Sequence, residues 1–162
     1  IASNTDRSRY YVGELNGKSS KQAYMDALHI SESNIINQTF HNPLGKMNGQ
    51  DICIISLKEV SGNGLCCYRQ VNDSDVLVLL EEQDYNEILD ETLQRIRRDF
   101  NHISGVFSIN CVFRYLLFSQ EHHMEDYLKT MSTLGDHAGL IGFGEHYNQQ
   151  FVNQTMTCVV FE

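Results

Sequence analysis

The sequence of 162 residues is short of positive charge: 12 Lys and Arg face 21 Asp and Glu, a formal charge of −9. That deficit argues against a nucleic-acid surface or an anionic-membrane surface, both of which need basic patches. No apolar run approaches the ~20 residues of a membrane-spanning helix. There is no signal peptide and no initiating Met, so the chain reads as a piece of a longer protein. It holds one proline, Pro43, and no internal repeat, low-complexity tract or linker. Its five cysteines include no C-x-x-C pair, which removes the support for a zinc ribbon or a thioredoxin-like site. An odd number of cysteines, mostly within apolar runs, reads as free thiols behaving as small hydrophobes in a reducing cytoplasm.

What remains is a soluble, globular composition, 41% hydrophobic and 20% charged, of a size that buries one sizeable core. A single domain over 1–162 is expected. Residues 1–9 are polar and read as a ragged lead-in. Tyr10–Leu15 reads as a strand closed by the Asn16-Gly17 turn, and Ser19 with Gln22 forms a capping box that opens a helix over Ser20–Leu28. Pro43 forces its predecessor into extended geometry, so the segment from His41 to Gly45 is a loop or strand entry. Asp51–Leu57, Leu65–Val71 and Val76–Leu80, separated by short turns, read as an antiparallel meander. Asp84 with Glu87 caps the longest helix, with Tyr85, Ile88, Leu89, Leu93, Ile96 and Phe100 on its inner face. Val106–Phe113 reads as a strand. A second long helix starts at Ser119, with Met124, Tyr127, Leu128, Met131 and Leu134 inward and Gly135 as its stop. Gly139–Gly144 reads as a short strand, 148–150 as a turn, and Thr155–Phe161 as the last strand. This pattern predicts α+β: a largely antiparallel sheet carrying two long helices and one short one.

The chemistry concentrates around the run from Gly105 to Tyr115. Arg114 lies among Val112, Phe113, Tyr115 and Leu116, where a charge is costly to bury unless it is matched. Its guanidinium either reaches solvent or meets a carboxylate, from the protein or from a ligand. Glu145, flanked by the Gly142-Phe143-Gly144 run at a strand end, is the candidate protein partner or a site residue in its own right. Cys111 would need a base and a lowered pKa to act as a nucleophile. His41, His137 and His146 are candidates for that base, but no local spacing ties any of them to Cys111. No catalytic residue is therefore assigned. His122 and His123 are adjacent, so on a helix they point about 100° apart and do not chelate together; no metal or other cofactor is expected. Gly142-Phe143-Gly144 lacks the spacing and the following helix of a dinucleotide fingerprint.

Several of these pieces recur, in order, in one family. The His41-Asn42-Pro43-Leu44-Gly45 segment, Phe107-Ser108 with Cys111 and Arg114, the Gly142-Phe143-Gly144-Glu145 element and the run from Asn153 to Thr157 together resemble the FIST C domain, the C-terminal half of the FIST sensory domain. The likeness covers about 11–161. It implies an intracellular domain of a signal-transduction or chemotaxis protein that binds a small ligand, with an amino acid as a candidate. A FIST N domain would precede this half, and an output signalling domain would share the chain. The resemblance implies binding rather than catalysis, with Arg114, Glu145, His41, Cys111 and Asn153 lining the ligand site. Relatives among F-box proteins imply an alternative, a module that docks on a FIST N half or on a partner protein. A cysteine-dependent enzyme built on Cys111 is the third reading.

Overall fold

A computed structural model of the chain describes residues 1–49, 51–148 and 150–162. It falls into two compact units, Ile1–Glu81 and Glu82–Glu162. The described residues form five helices and 13 strands, an α+β fold whose sheets are largely antiparallel.

The first unit opens on β1 (Ala2–Asp6), where a lead-in was expected. β1 pairs antiparallel with β2 (Tyr11–Leu15), and its backbone is also held by bonds between Ala2 and the turn at Ser74 and Asp75. The polar run hid an edge strand, whose outward residues are free to be polar. β3 (Lys18–Ser19) leads into α1 (Ser20–Leu28), whose Ser19 hydroxyl accepts from the Gln22 amide as the capping box predicts. Tyr24 on α1 is fully buried and donates its hydroxyl to the Asn42 carbonyl at 2.7 Å, which fixes the loop before Pro43. A 3₁₀ turn (Glu32–Asn34) and the short α2 (Ile35–Gln38) follow; neither has the periodicity that marks a helix in sequence.

The expected meander is instead divided between two sheets. β4 (Leu44–Asn48) is the centre of one, with β5 (Asp51–Ile55) on one side and β8 (Leu77–Leu79) on the other. The apolar run from Asp51 to Leu57 is not one strand. It breaks at the buried Ser56, whose carbonyl accepts from the Tyr68 amide, and continues as β6 (Leu57–Ser61) in the other sheet. There β7 (Gly64–Cys67) returns against β6 across the expected turn, giving the order β1-β2-β7-β6 with β3 beside β2. Val12, Tyr24, Ile35, Leu44, Ile55, Leu57, Leu65 and Val71 form the core of this unit. Each such buried side chain is worth about 1.5–3 kcal/mol of transfer free energy.

The second unit begins with α3 (Tyr85–Asp99). The Asp84 carboxylate accepts from the amides of Asn86 and Glu87 at 2.9 and 3.1 Å. Leu89 and Leu93 face inward as expected, but Ile88 is exposed. β9 (Gly105–Cys111) ends before Val112, and the chain turns there into α4 (Val112–Gln120). Arg114 is therefore on a helix and not on a strand. β-branched and aromatic residues favour strands only weakly, and here the tertiary crossover overrides them. The long helix expected from Ser119 is likewise two helices. His122 sits at φ 57°, and α5 (Met124–Ser132) starts afresh beyond it. Tyr127, Met131 and Leu134 are buried as expected, whereas Leu128 is exposed.

β10 (Asp136–Gly142) then runs parallel to β9, from Asp136↔Gly105 to Gly142↔Cys111. β11 (Glu145–Tyr147) and β12 (Gln150–Val152) form a hairpin; of the turn expected at 148–150, residue 149 lies outside the described residues. β13 (Met156–Phe161) pairs antiparallel with the other side of β9, so β9 is the central strand of the sheet β10-β9-β13. The two parallel strands are joined through α4 and α5, the connection that parallel pairing requires.

Candidate functional site

The parallel register brings the carboxyl ends of β9 and β10 side by side at Cys111 and Gly142. In sheets with parallel strands this end is where side chains of different segments gather around a ligand. Four of the five expected site residues belong to this end of the second unit. Cys111 closes β9, Arg114 lies in the first turn of α4, Glu145 opens β11, and Asn153 follows β12. His41 belongs to the first unit, where it is half-buried in the loop before Pro43.

Glu145 is 2% exposed. Its Oε2 accepts from the Thr155 hydroxyl at 2.8 Å, while Oε1 is buried without a hydrogen-bond partner. Burial pushes this carboxyl above its ordinary value, against the opposing pull of the Thr155 hydroxyl, the neighbouring Cys111 thiol and the Arg114 charge. The Thr155 carbonyl accepts from the Cys111 amide at 3.0 Å, so one residue ties Glu145 to the end of β9. Gly144 has φ 128°, and a Cβ there would meet the Phe151 ring and lie 3.0 Å from Asn153 Oδ1. Only glycine suits both the dihedral and the space, and that lets the buried Asn153 close in on the strand that carries Glu145.

Arg114 is half-buried, with its guanidinium carbon 4.6 Å from the centre of the Phe118 ring and 5.7 Å from that of Tyr127. Its Nε is buried and has no hydrogen-bond partner. None of the ion pairs among the described residues includes Arg114, so Glu145 does not neutralise it by direct contact. The two charges do feel each other. Burial pulls the guanidinium below its ordinary value, and Tyr127 and Glu145 push it back up. A guanidinium resting on two aromatic faces gains about 1–2 kcal/mol, too little to replace a lost hydration shell.

Cys111 is 1% exposed and caps α4 with its backbone alone. Burial raises its thiol, as does the Glu145 charge, and the amides of Phe113, Gln154 and Arg114 only partly offset this. It therefore stays protonated at neutral pH. Among the candidate bases in this unit, His137 is bonded through Nε2 to Ser108 Oγ at 2.8 Å, and His146 packs edge-on against Phe151. His123 is likewise committed to packing, between the rings of Tyr85 and Phe118.

Sequence reasoning passed over a second polar layer on β9. Val106, Ser108 and Asn110 alternate along one buried face. Ser108 meets His137, and the Tyr127 hydroxyl lies 3.5 Å from it. Asn110 Oδ1 is buried without a partner. The signal for it was present: two polar residues at period two inside an otherwise apolar strand.

The fold and this site define an α+β protein with a half-buried arginine and a buried glutamate, each keeping one unpartnered polar atom, where two parallel strands end. The FIST C domain family model matches residues 21–148, and the chain belongs to that family. No curated protein and no solved structure matches it. The family is one of sensory-type domains in signal transduction.

Proposed function

We propose that the chain is a sensory domain that binds a small zwitterion, an amino acid being the simplest example, inside the cell. The observation that carries this reading is the pair Arg114 and Glu145. These are opposite charges that influence each other, each with a buried polar atom left unpartnered. A buried polar atom without a partner costs about 1–3 kcal/mol, and a ligand that supplies the missing groups recovers that cost on binding. Arg114 would read a carboxylate through its planar fork, and Glu145 would take an ammonium. Cys111 and Asn153, which belong to the same unit, would line the site.

This reading is of a binding domain and not of an enzyme, in keeping with a protonated, inaccessible Cys111. The described cysteines are all free thiols, which suits a reducing cytoplasm. No helix is long and apolar enough to cross a membrane. In this reading a FIST N domain would precede this half, and an output module, such as a chemotaxis receptor or kinase, would share the signalling protein.

Titration calorimetry of an amino-acid panel against the wild type and Arg114→Ala tests the proposal. At least one panel member should bind the wild type, and Arg114→Ala should weaken it by about tenfold or more. Equal binding by the two proteins would remove Arg114 from the site.

A further inference from the structure

β10 is a terminal strand of its sheet, hydrogen-bonded to β9 on one side only among the described residues. Ala138, Gly139, Leu140 and Ile141 are exposed in succession. Successive residues of a strand point to opposite faces, so Ala138 and Leu140 are open on one face, while on the other, where Tyr127 of α5 packs against His137, Ile141 remains exposed at the rim beside the free edge. A strand in parallel pairing is ordinarily covered on both faces. Natural edges are also protected by lysine, proline or a bulge. The sequence of β10, DHAGLIG, contains no lysine and no proline, and its seven-residue register with β9 is unbroken. Leu140 is 49% exposed, and Phe143, immediately past the strand, is 90% exposed.

We propose that the free edge of β10 receives an extended, lysine- or arginine-bearing segment of a partner protein as an added strand, with Phe143 as the side-chain anchor at its end. Main-chain hydrogen bonds would supply the affinity, and alternate side chains of the incoming segment would cover Leu140 on one face and Ile141 on the other. Charge selects this occupant over a second copy of the chain. Residues 82–162 hold 12 Asp and Glu against five Lys and Arg, a formal charge of −7. Two copies would bring that charge together, whereas a basic segment is attracted by it. The inference concerns a surface apart from Arg114 and Glu145 and does not depend on the ligand reading.

The test uses the full chain and a short synthetic peptide of alternating valine and lysine. Two controls accompany it: the valine–glutamate counterpart, and an N-methylated copy that keeps the charges but lacks the amide donors. The valine–lysine peptide should bind about tenfold or more tightly than either control. It should also slow amide exchange within 137–142. Leu140→Lys, which adds a gatekeeper charge, should abolish binding, and Ala138→Lys serves the same purpose if the first variant does not fold. Equal binding of the N-methylated copy overturns the proposal, as does protection that falls outside β10. A dimer in sedimentation whose protected amides are those of β10 also overturns it, because the occupant would then be a second copy.

Discussion

Glu145 binds its proton more readily in the folded protein than in the unfolded chain, because burial outweighs the Thr155 hydroxyl and the Arg114 charge. Its contribution to stability is therefore largest below the unfolded value of about 4.5 and declines as pH rises through the raised folded value. Glu145→Gln keeps an acceptor for Thr155 and removes the charge. It should raise the unfolding free energy by about 1 kcal/mol near pH 8 and bring almost no change near pH 4, as read from urea midpoints. A variant that loses stability at the higher pH would show that the carboxylate is already compensated. The partner of Arg114 was the open question at this scale, with Glu145 and a ligand carboxylate as rivals. The sequence marks a charge among hydrophobes but does not give a guanidinium's distance to a carboxylate 31 positions away. That distance depends on Arg114 entering a helix and on Glu145 following a second parallel strand, neither of which has a local signature.

Elements whose ends are set by neighbouring residues were legible, and those set by distant pairing were not. Ser19 and Gln22 place the start of α1, and Asp84 and Glu87 that of α3, because a cap is a contact within one turn. β1 escaped notice because its partners are at β2 and at Asp75. Ser56 could not be seen to divide two sheets, since nothing in its immediate sequence differs from the interior of a strand. The sequence places Gly139 only at the start of a short strand, and the structure shows what approaches it. A Cβ there would stand 2.5 Å from Ser108 Oγ and 2.6 Å from the Ser108 carbonyl oxygen. Gly139→Ala should therefore destabilise the second unit by about 2 kcal/mol, because Ser108 is held by His137 and cannot give way. Ala138→Ser, one position away and exposed, should change stability by less than about 0.5 kcal/mol in the same urea titration. Similar losses from both would locate the effect in the strand as a whole and not in the contact with Ser108.

Across the whole molecule the charge balance, −9 in total, lies mostly in residues 82–162. Self-repulsion of this kind opposes the folded state and is screened by salt. The thermal midpoint should rise by a few degrees between about 20 and about 300 mM NaCl, with most of the gain in signals from the second unit. A midpoint that falls with salt would mean that favourable ion pairs, such as Lys46 with Asp75, outweigh the repulsion. The α+β class was legible from alternating apolar runs and two capped helices. The parallel pairing was not, because β9 and β10 look like any other short apolar strands until the crossover is known.

That crossover also orders events in time. In the first unit β1 meets β2, β4 meets β5 and β6 meets β7 across short turns, so each ladder closes a small loop. β9 has no such neighbour. It must wait for α4 and α5 to bring β10 back, and for the still later β13 to arrive on its other side. Loop-closure entropy makes such distant pairings slow. On a growing chain Arg114 is made before either β10 or Glu145, so its charge stays in water until the sheet around it is complete.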